Sequence, residues 1–240
     1  MKTLLVMLFT IISVISTAQT DMSKAMYEGY LTSDLDLLSK KINSIAYDEL
    51  IASNDIEALY ENLELHYVLL SSTLTYEDEV TFSKYVDNSI ELAETILKID
   101  KNHSPARAIL SGIYGLKIAY APMKGMFLGP KSGRHSGQSY EMASEDPTVL
   151  LMYGINKYNT PSTWGGDTNK AIEVLNKTIA YYENNQMTVE NWKYLHALAW
   201  LGLAYEEKEE FGKAEAAYKK SILAEPGFEW GVFLFSEVGK

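Results

Sequence analysis

Residues 121–140 combine glycines and cations in a pattern that suits the binding of an anion. Glycine recurs at every fourth position with basic side chains between, namely Gly125, Gly129, Gly133 and Gly137 with Lys124, Lys131, Arg134 and His135. Backbone N–H groups near glycine can face a ligand, and lysine and arginine donate charge-assisted hydrogen bonds to carboxylates or phosphates. We interpret the segment as a mobile basic loop that binds a small anion or an acidic partner. The alternative is a long flexible connection kept soluble by its charges.

The wider charge distribution supports the first interpretation. Residues 101–140 contain six basic side chains and no aspartate or glutamate, whereas the 240-residue chain has a net charge of −11. The acidic balance argues against general nucleic-acid binding. We therefore predict a protein partner, with an acidic surface of that partner meeting the basic segment.

A nucleotide-binding loop is not predicted, although Gly129-Pro130-Lys131-Ser132 is similar to the end of the G-x-x-x-x-G-K-[ST] motif. Pro130 intrudes between glycine and lysine and removes an N–H group that a phosphate would need. Gly125 also lies one residue too near for the first glycine of that motif.

A second candidate site lies in the turn 159–167, where Trp164 precedes Gly165, Gly166 and Asp167. The glycines allow a tight turn, and Asp167 is a suitable N-cap for the following helix. Trp164 and Asp167 are candidate ligand contacts at the mouth of a binding site. The alternative, which we favour for Trp164, is packing on a neighbouring hairpin.

Signatures of catalysis and metal binding are missing from the sequence. The four histidines form no H-E-x-x-H motif and no pair four residues apart, and there is no cysteine. No nucleophile-elbow motif is present either. We predict no enzymatic activity, no cofactor and no metal site.

Helical periodicity dominates the rest of the chain, and no run shows sustained β-alternation. The predicted helices are 22–31, 34–53, 55–73, 78–99, 105–120, 147–158, 167–183, 189–207 and 210–224. An all-α fold is therefore expected.

The last complete hairpin carries a repeat pattern. Leu201, Gly202, Tyr205, Ala214, Tyr218 and Pro226 match W-x2-L-G-x2-Y followed by alanine, an aromatic residue and proline. Only the first position differs, because Leu198 stands there and Trp200 comes two residues later. The chain thus resembles the tetratricopeptide-repeat superfamily, whose members stack helical hairpins and usually bind proteins. The best repeat spans 189–227, and degenerate repeats cover about 85–183.

The degenerate part contains two further hairpins. Gly154 and Ala171 mark one of them, and a third joins the helix that ends at Asp100 to the helix that holds Gly112. We therefore expect α-α superhelical repeats with a glycine-rich basic loop inserted, and a concave helical groove as the recognition surface.

The first residues are typical of a secretory signal peptide. Lys2 precedes an apolar run, and Ser16-Thr17-Ala18 forms a small-residue cleavage site. Residues 1–18 are assigned to the signal peptide and 19–240 to one repeat domain without a membrane span. The mature protein is then periplasmic or secreted.

Gly165, Gly166, Asp167 and Ala171 also make the chain similar to the T-component of tripartite ATP-independent periplasmic transporters. That resemblance implies an accessory protein that binds a small molecule or a solute-binding protein. Our preferred interpretation is a secreted or periplasmic protein–protein interaction scaffold.

Overall fold

The structure, a computed structural model, describes residues 21–240. Within this range the chain forms helices joined by turns, and no strand occurs. The helices are α1 (21–31), α2 (Leu35–Asn43), α3 (Tyr47–Ser53), α4 (Ile56–Ser72), α5 (Glu79–Ile99), α6 (Ser104–Tyr120), α7 (Gly125–Met142), α8 (Pro147–Asn159), α9 (Thr168–Asn184), α10 (Trp192–Glu207), α11 (Phe211–Ala224) and α12 (Glu229–Glu237). The predicted signal peptide, residues 1–18, lies outside the described residues.

Polar N-caps with side-chain oxygens define where six of these helices begin. A side-chain oxygen accepts backbone N–H groups of the first turn, which no carbonyl of the helix can satisfy. The capping residues with such bonds are Asp34, Asp55, Asp78, Asp146, Asp167 and Asn191. The capping role predicted for Asp167 is therefore confirmed.

The helices pair into antiparallel hairpins, α4 with α5, α6 with α7, α8 with α9 and α10 with α11. The first helices of these hairpins also contact one another in chain order, α4 on α6, α6 on α8 and α8 on α10. We call α4, α6, α8 and α10 the inner helices. Helix α12 packs on α10 and α11. The predicted all-α repeat architecture is confirmed.

Glycines on the inner helices allow the helices of each pair to approach closely. A Cβ atom on Gly154 would lie 2.8 Å from Cγ of Leu175 on α9. On Gly202 it would lie 2.1 Å from Cε1 of Tyr218 on α11, far inside van der Waals contact. Both hairpins predicted from these glycines are thus present.

The glycine-rich basic loop predicted at 121–140 is wrong in its secondary structure. Pro122–Lys124 form a single 3-10 turn, and α7 then runs from Gly125 to Met142. The reason is tertiary: α7 turns Ser132, Ser136 and Ser139, all buried, toward the inner helices, and its small side chains allow close packing. The oxygens of Ser132 and Ser111 of α6 exchange hydrogen bonds with the opposite carbonyls, at 2.9 Å each. This packing outweighs the low helix propensity of glycine and proline.

Two other boundaries differ from expectation. Helix α7, rather than α5, is the hairpin partner of α6, so the third predicted hairpin is out of register by one helix. The predicted helix 34–53 is broken between α2 and α3, where Oγ of Ser44 donates to the Lys41 carbonyl at 2.7 Å and so closes the last turn of α2.

The predicted concave groove is filled by the chain itself. The ring of Tyr30 on α1 stacks on Phe228 and packs against Trp192 and His196 of α10, with centroid separations of 5.4–5.8 Å. Tyr67 of α4 also reaches Trp192, at 6.0 Å. On a helix with about 3.6 residues per turn, Trp192 and His196 lie about 80° and about 120° around the axis of α10 from Gly202, so they face another direction than the contact with α11. The first and last inner helices therefore meet, and α1 covers the inner face of α10.

Candidate partner-binding surface

Helix α7 and the turn before it present a basic surface to solvent. Lys131 and Arg134 lie on the side of α7 that faces away from its buried serines, and Phe127 precedes them by one turn. Met123 and Lys124 extend this surface onto the 3-10 turn. We call Met123, Lys124, Phe127, Lys131 and Arg134 the α7 face. All five are exposed.

The cations of the α7 face are not neutralised within the chain. Among residues 21–240, no ion pair or side-chain hydrogen bond involves Lys124, Lys131 or Arg134. By contrast, Lys117 on the neighbouring α6 is paired with Asp87 at 3.0 Å. The three positive charges are thus available to an acidic group from outside.

Large apolar side chains accompany these cations. Met123 is 92% exposed, Phe127 73% and the adjacent Met126 68%. Such side chains normally lie inside a protein, and a cluster of them beside charged groups marks an interaction site. The α7 face therefore offers both electrostatic attraction and apolar contact.

His135 lies on α7, but it is not one of the exposed cations of the α7 face. Its ring is partly buried against Tyr114, with centroids 5.9 Å apart. Burial lowers the pKa of His135 to about 4, and the positive charges of Arg107, Arg134 and Lys131 act in the same direction. The imidazole is therefore neutral at pH 7, and His135 supports the α7 face from behind without adding charge to it.

The turn candidates form a separate place on the molecule. Trp164 is 59% exposed, so the favoured packing on a neighbouring hairpin is wrong. Oδ1 of Asp167 accepts the Lys170 N–H at 3.0 Å, and its own N–H donates to the Lys157 carbonyl at 2.9 Å. No hydrogen bond, ion pair or ring contact within 21–240 links either residue to the α7 face.

The predicted roles of the glycines in this turn are confirmed. Gly165 has φ of +94°, which favours glycine, and a Cβ on Gly166 would lie 1.6 Å from the carbonyl oxygen of Thr160. The structure of the turn also explains why an aspartate stands at position 167, because its carboxylate caps the following helix.

Comparison with solved structures finds chains of similar fold. A thermophilic TPR protein from Thermus thermophilus is similar over 88% of this chain and 97% of its own, with a TM-score of 0.52 and 17% identity. The fold is tetratricopeptide-repeat-like (TPR-like). No known protein family and no curated protein matches the sequence. None of these comparisons supports the resemblance to the transporter T-component, which stays a prediction.

The TPR-like fold also assembles a cluster that sequence reasoning missed. Tyr140 at the end of α7 stacks on Tyr153 of α8, with ring centroids 4.1 Å apart and planes at 11°. Nζ of Lys157 lies 5.3 Å from the Tyr153 ring and Nζ of Lys170 lies 5.5 Å from the Tyr140 ring. The four residues come from three helices, so no local sequence signal joins all of them. The cluster ties the end of α7 to the hairpin that follows.

Two classes of function receive no structural support. In the part of the chain that is described, no three histidine, aspartate or glutamate side chains gather so that a metal ion could be held. Nor is any helix of residues 21–240 both long and apolar enough to pass through a bilayer.

Proposed function

We propose that this TPR-like protein is an interaction scaffold that binds an acidic protein partner on the α7 face. The observation that carries the proposal is the set of three unpaired cations beside exposed Met123 and Phe127. Carboxylates of the partner pair with the cations, and an apolar part of the partner covers the methionine and phenylalanine side chains. Both contributions are typical of protein interfaces.

The outer surface takes the place of the concave groove in this proposal. The inner face of α10 is already covered by Tyr30 and Tyr67, so a partner could enter there only by displacing α1. The α7 face needs no displacement. Its positive charge also contrasts with the net charge of −11, which concentrates the attraction for an acidic partner at one place.

We further propose that the protein acts outside the cytoplasm, as a secreted or periplasmic protein. The support is the sequence of residues 1–18 alone, with its basic start, apolar run and small-residue cleavage site. N-terminal sequencing of the native protein from culture medium or periplasm tests this directly. A start at Gln19 supports export, and a start at Met1 contradicts it.

Binding to an acidic partner can be tested with defined probes. Fluorescence anisotropy is measured for a labelled oligo-glutamate peptide that carries one phenylalanine, and for an oligo-lysine peptide of equal length. The oligo-glutamate peptide should bind despite the negative net charge of the protein, and more weakly as salt rises. Replacing Lys124, Lys131 and Arg134 together by alanine should weaken it at least about tenfold, or about 1.4 kcal/mol.

A matched variant controls for the overall loss of charge. Lys40, Lys208 and Lys219 are also exposed and have no ion pair within residues 21–240, so their triple alanine variant removes the same charge elsewhere. If the two triple variants lose binding to the same extent, or if oligo-lysine binds better than oligo-glutamate, the α7 face is not the acidic-partner site.

A further inference from the structure

One end of the molecule exposes six large apolar side chains. Three lie at the α4–α5 turn and the start of α5, and three lie at the α6–α7 turn and the start of α7. They are Leu74, Tyr76 and Val80, which are 40%, 59% and 83% exposed, together with Met123 and Phe127 of the α7 face and the adjacent Met126. We call these six residues the apolar end. An exposed apolar group of this size marks an interaction surface.

The charges around the apolar end are divided by sign. Beside Tyr76, a cleft of about 420 Å³ is lined by Asp34, Asp36 and Asp78. Beside Met123 and Phe127 stand the unpaired Lys124 and Lys131. The acidic half belongs to α2 and α5, and the basic half belongs to α7.

The two halves form one continuous surface. A shallow pocket of about 190 Å³ lies between them and is lined by Glu79 and Phe82 from α5 and by Tyr120 and Lys124. The rings of Phe82 and Tyr120 lie 4.4 Å apart, and the Tyr120 hydroxyl donates to Oγ1 of Thr73 at 2.9 Å. The acidic cleft and the α7 face are therefore held side by side by packed side chains.

We propose that the partner of this surface is a second copy of the same chain, related to the first by a twofold axis. A surface with an apolar centre, an acidic half and a basic half is complementary to itself after such a rotation. Each α7 face then meets the acidic cleft of the other copy, and the six apolar side chains of both copies are covered. The inference rests on the proposed function, since it uses the α7 face and names its acidic partner.

The position of the two halves favours a closed pair over a filament. When complementary patches lie on opposite sides of a molecule, head-to-tail contacts continue indefinitely. Here both halves lie at one end of the molecule. In a pair related by a twofold axis, each basic half contacts the acidic half of the other copy, and no half is left free. A dimer is the expected assembly.

The test measures the mass of the full chain by sedimentation equilibrium, over a concentration series at low and high salt. The wild-type protein should approach the mass of two chains and dissociate as salt rises. A basic-half variant carries Lys124→Glu with Lys131→Glu, and an acidic-half variant carries Asp36→Lys with Glu79→Lys. The acidic positions avoid the N-caps Asp34 and Asp78, so helix starts are kept.

Mixing the two variants gives the decisive result. Each variant alone should dimerise less than the wild type, because in both contacts of the twofold pair one half has lost the charge that attracts the other half. In an equimolar mixture, a dimer of one copy of each variant pairs the intact basic half with the intact acidic half and the two altered halves with each other, and this dimer should form. A control variant with Lys208→Glu and Lys219→Glu, on α11 and the turn before it, should dimerise like the wild type. Circular dichroism of every variant checks that the helices are intact.

Three outcomes would overturn the inference: a wild-type monomer at every concentration, a dimer that both reversals leave unchanged, or a mixture that stays monomeric. A monomer that still binds oligo-glutamate through the α7 face leaves the proposed function standing and makes the partner a different protein. A dimer rescued by mixing, with no oligo-glutamate binding, supports the self-association and contradicts a separate acidic partner.

Discussion

A Cβ atom on Gly202 would lie 2.1 Å from Cε1 of Tyr218, so the tyrosine ring occupies the space that any other residue at 202 would fill. The ring is fully buried, and its hydroxyl donates to Oε1 of Glu206 one turn after Gly202. Glycine and tyrosine therefore act as a matched pair between α10 and α11. This contact explains why the repeat pattern has glycine at one of these positions and an aromatic residue at the other.

Replacing Gly202 by alanine should destabilise the protein by about 1–3 kcal/mol, because the methyl group overpacks the contact with Tyr218. Urea denaturation followed by circular dichroism measures the change. Gly115 is the matched control, since it is a helical glycine on α6 with no atom within 4 Å of a built Cβ. Gly115→Ala should be neutral or stabilising by up to about 1 kcal/mol. Equal losses from both variants would contradict the close contact.

Alanine at position 133 should stabilise the protein by about 0.5–1 kcal/mol. Gly133 is exposed in α7, and a Cβ there would meet no atom within 4 Å, so alanine gains helix propensity without a clash. The measurement is the free energy of unfolding in urea. Were 121–140 a flexible loop, this substitution would leave the free energy unchanged, so the result also tests the helical assignment.

Stability should fall as the pH is lowered from 7 to 5. Burial lowers the pKa of His196 from 6.5 to about 3, and burial likewise lowers the pKa of His66 to about 4. The folded protein keeps both rings neutral in this range, whereas the unfolded chain takes up protons below pH 6.5. Each ring should then cost about 2 kcal/mol of stability at pH 5 relative to neutral pH.

The hydrogen bonds of His196 make the same prediction accessible to NMR. Nε1–H of Trp200 donates to Nε2 at 2.9 Å, so Nε2 carries no proton and Nδ1–H points to the Tyr30 oxygen, 2.8 Å away. Its ring signals should not titrate between pH 8 and pH 5. A midpoint near 6.5 for His196 would show that the ring is hydrated, and that α1 does not cover α10.

Breaking the ion pair between Glu64 of α4 and Lys193 of α10 should be strongly destabilising. The two side chains are 11% and 18% exposed, so either single substitution, Glu64→Leu or Lys193→Met, leaves a charge with little water around it. We expect a loss of about 3 kcal/mol for each. The double variant should lose clearly less than the two losses added, as measured in a double-mutant cycle by urea denaturation. Strict additivity would mean that the pair does not form.

Local patterns in the sequence predicted what local physics decides. The N-caps, the glycine turn at 165–166 and the hairpins around Gly154 and Gly202 follow from side-chain size and spacing, and they are present. Helix α7 was not predicted, because its glycines and Pro130 oppose a helix locally. The contact that supports this helix joins Ser132 to Ser111, which lies 21 residues away in the sequence. Helix α12 was missed because the recognised pattern ends at Pro226.

The candidate site shows the same division. Lys124, Lys131 and Arg134 were found from composition, and all three are exposed, Lys131 and Arg134 on α7 and Lys124 on the 3-10 turn before it. His135 was predicted as a binding residue beside them, but its burial against Tyr114 depends on packing that composition does not contain. The covering of the inner groove could not be predicted from local sequence either, because Tyr30 and His196 are 166 residues apart in the chain.

The meeting of α4 with α10 has a consequence for how this molecule can change over evolution. An open array of hairpins tolerates the gain or loss of a unit, because each unit touches only its neighbours. Here Tyr67 and Glu64 near the beginning rest on Trp192 and Lys193 near the end, so deleting one hairpin would leave both partners facing the wrong surface. The number of hairpins is thereby fixed, and the chain should unfold as one cooperative unit instead of unravelling from its tips.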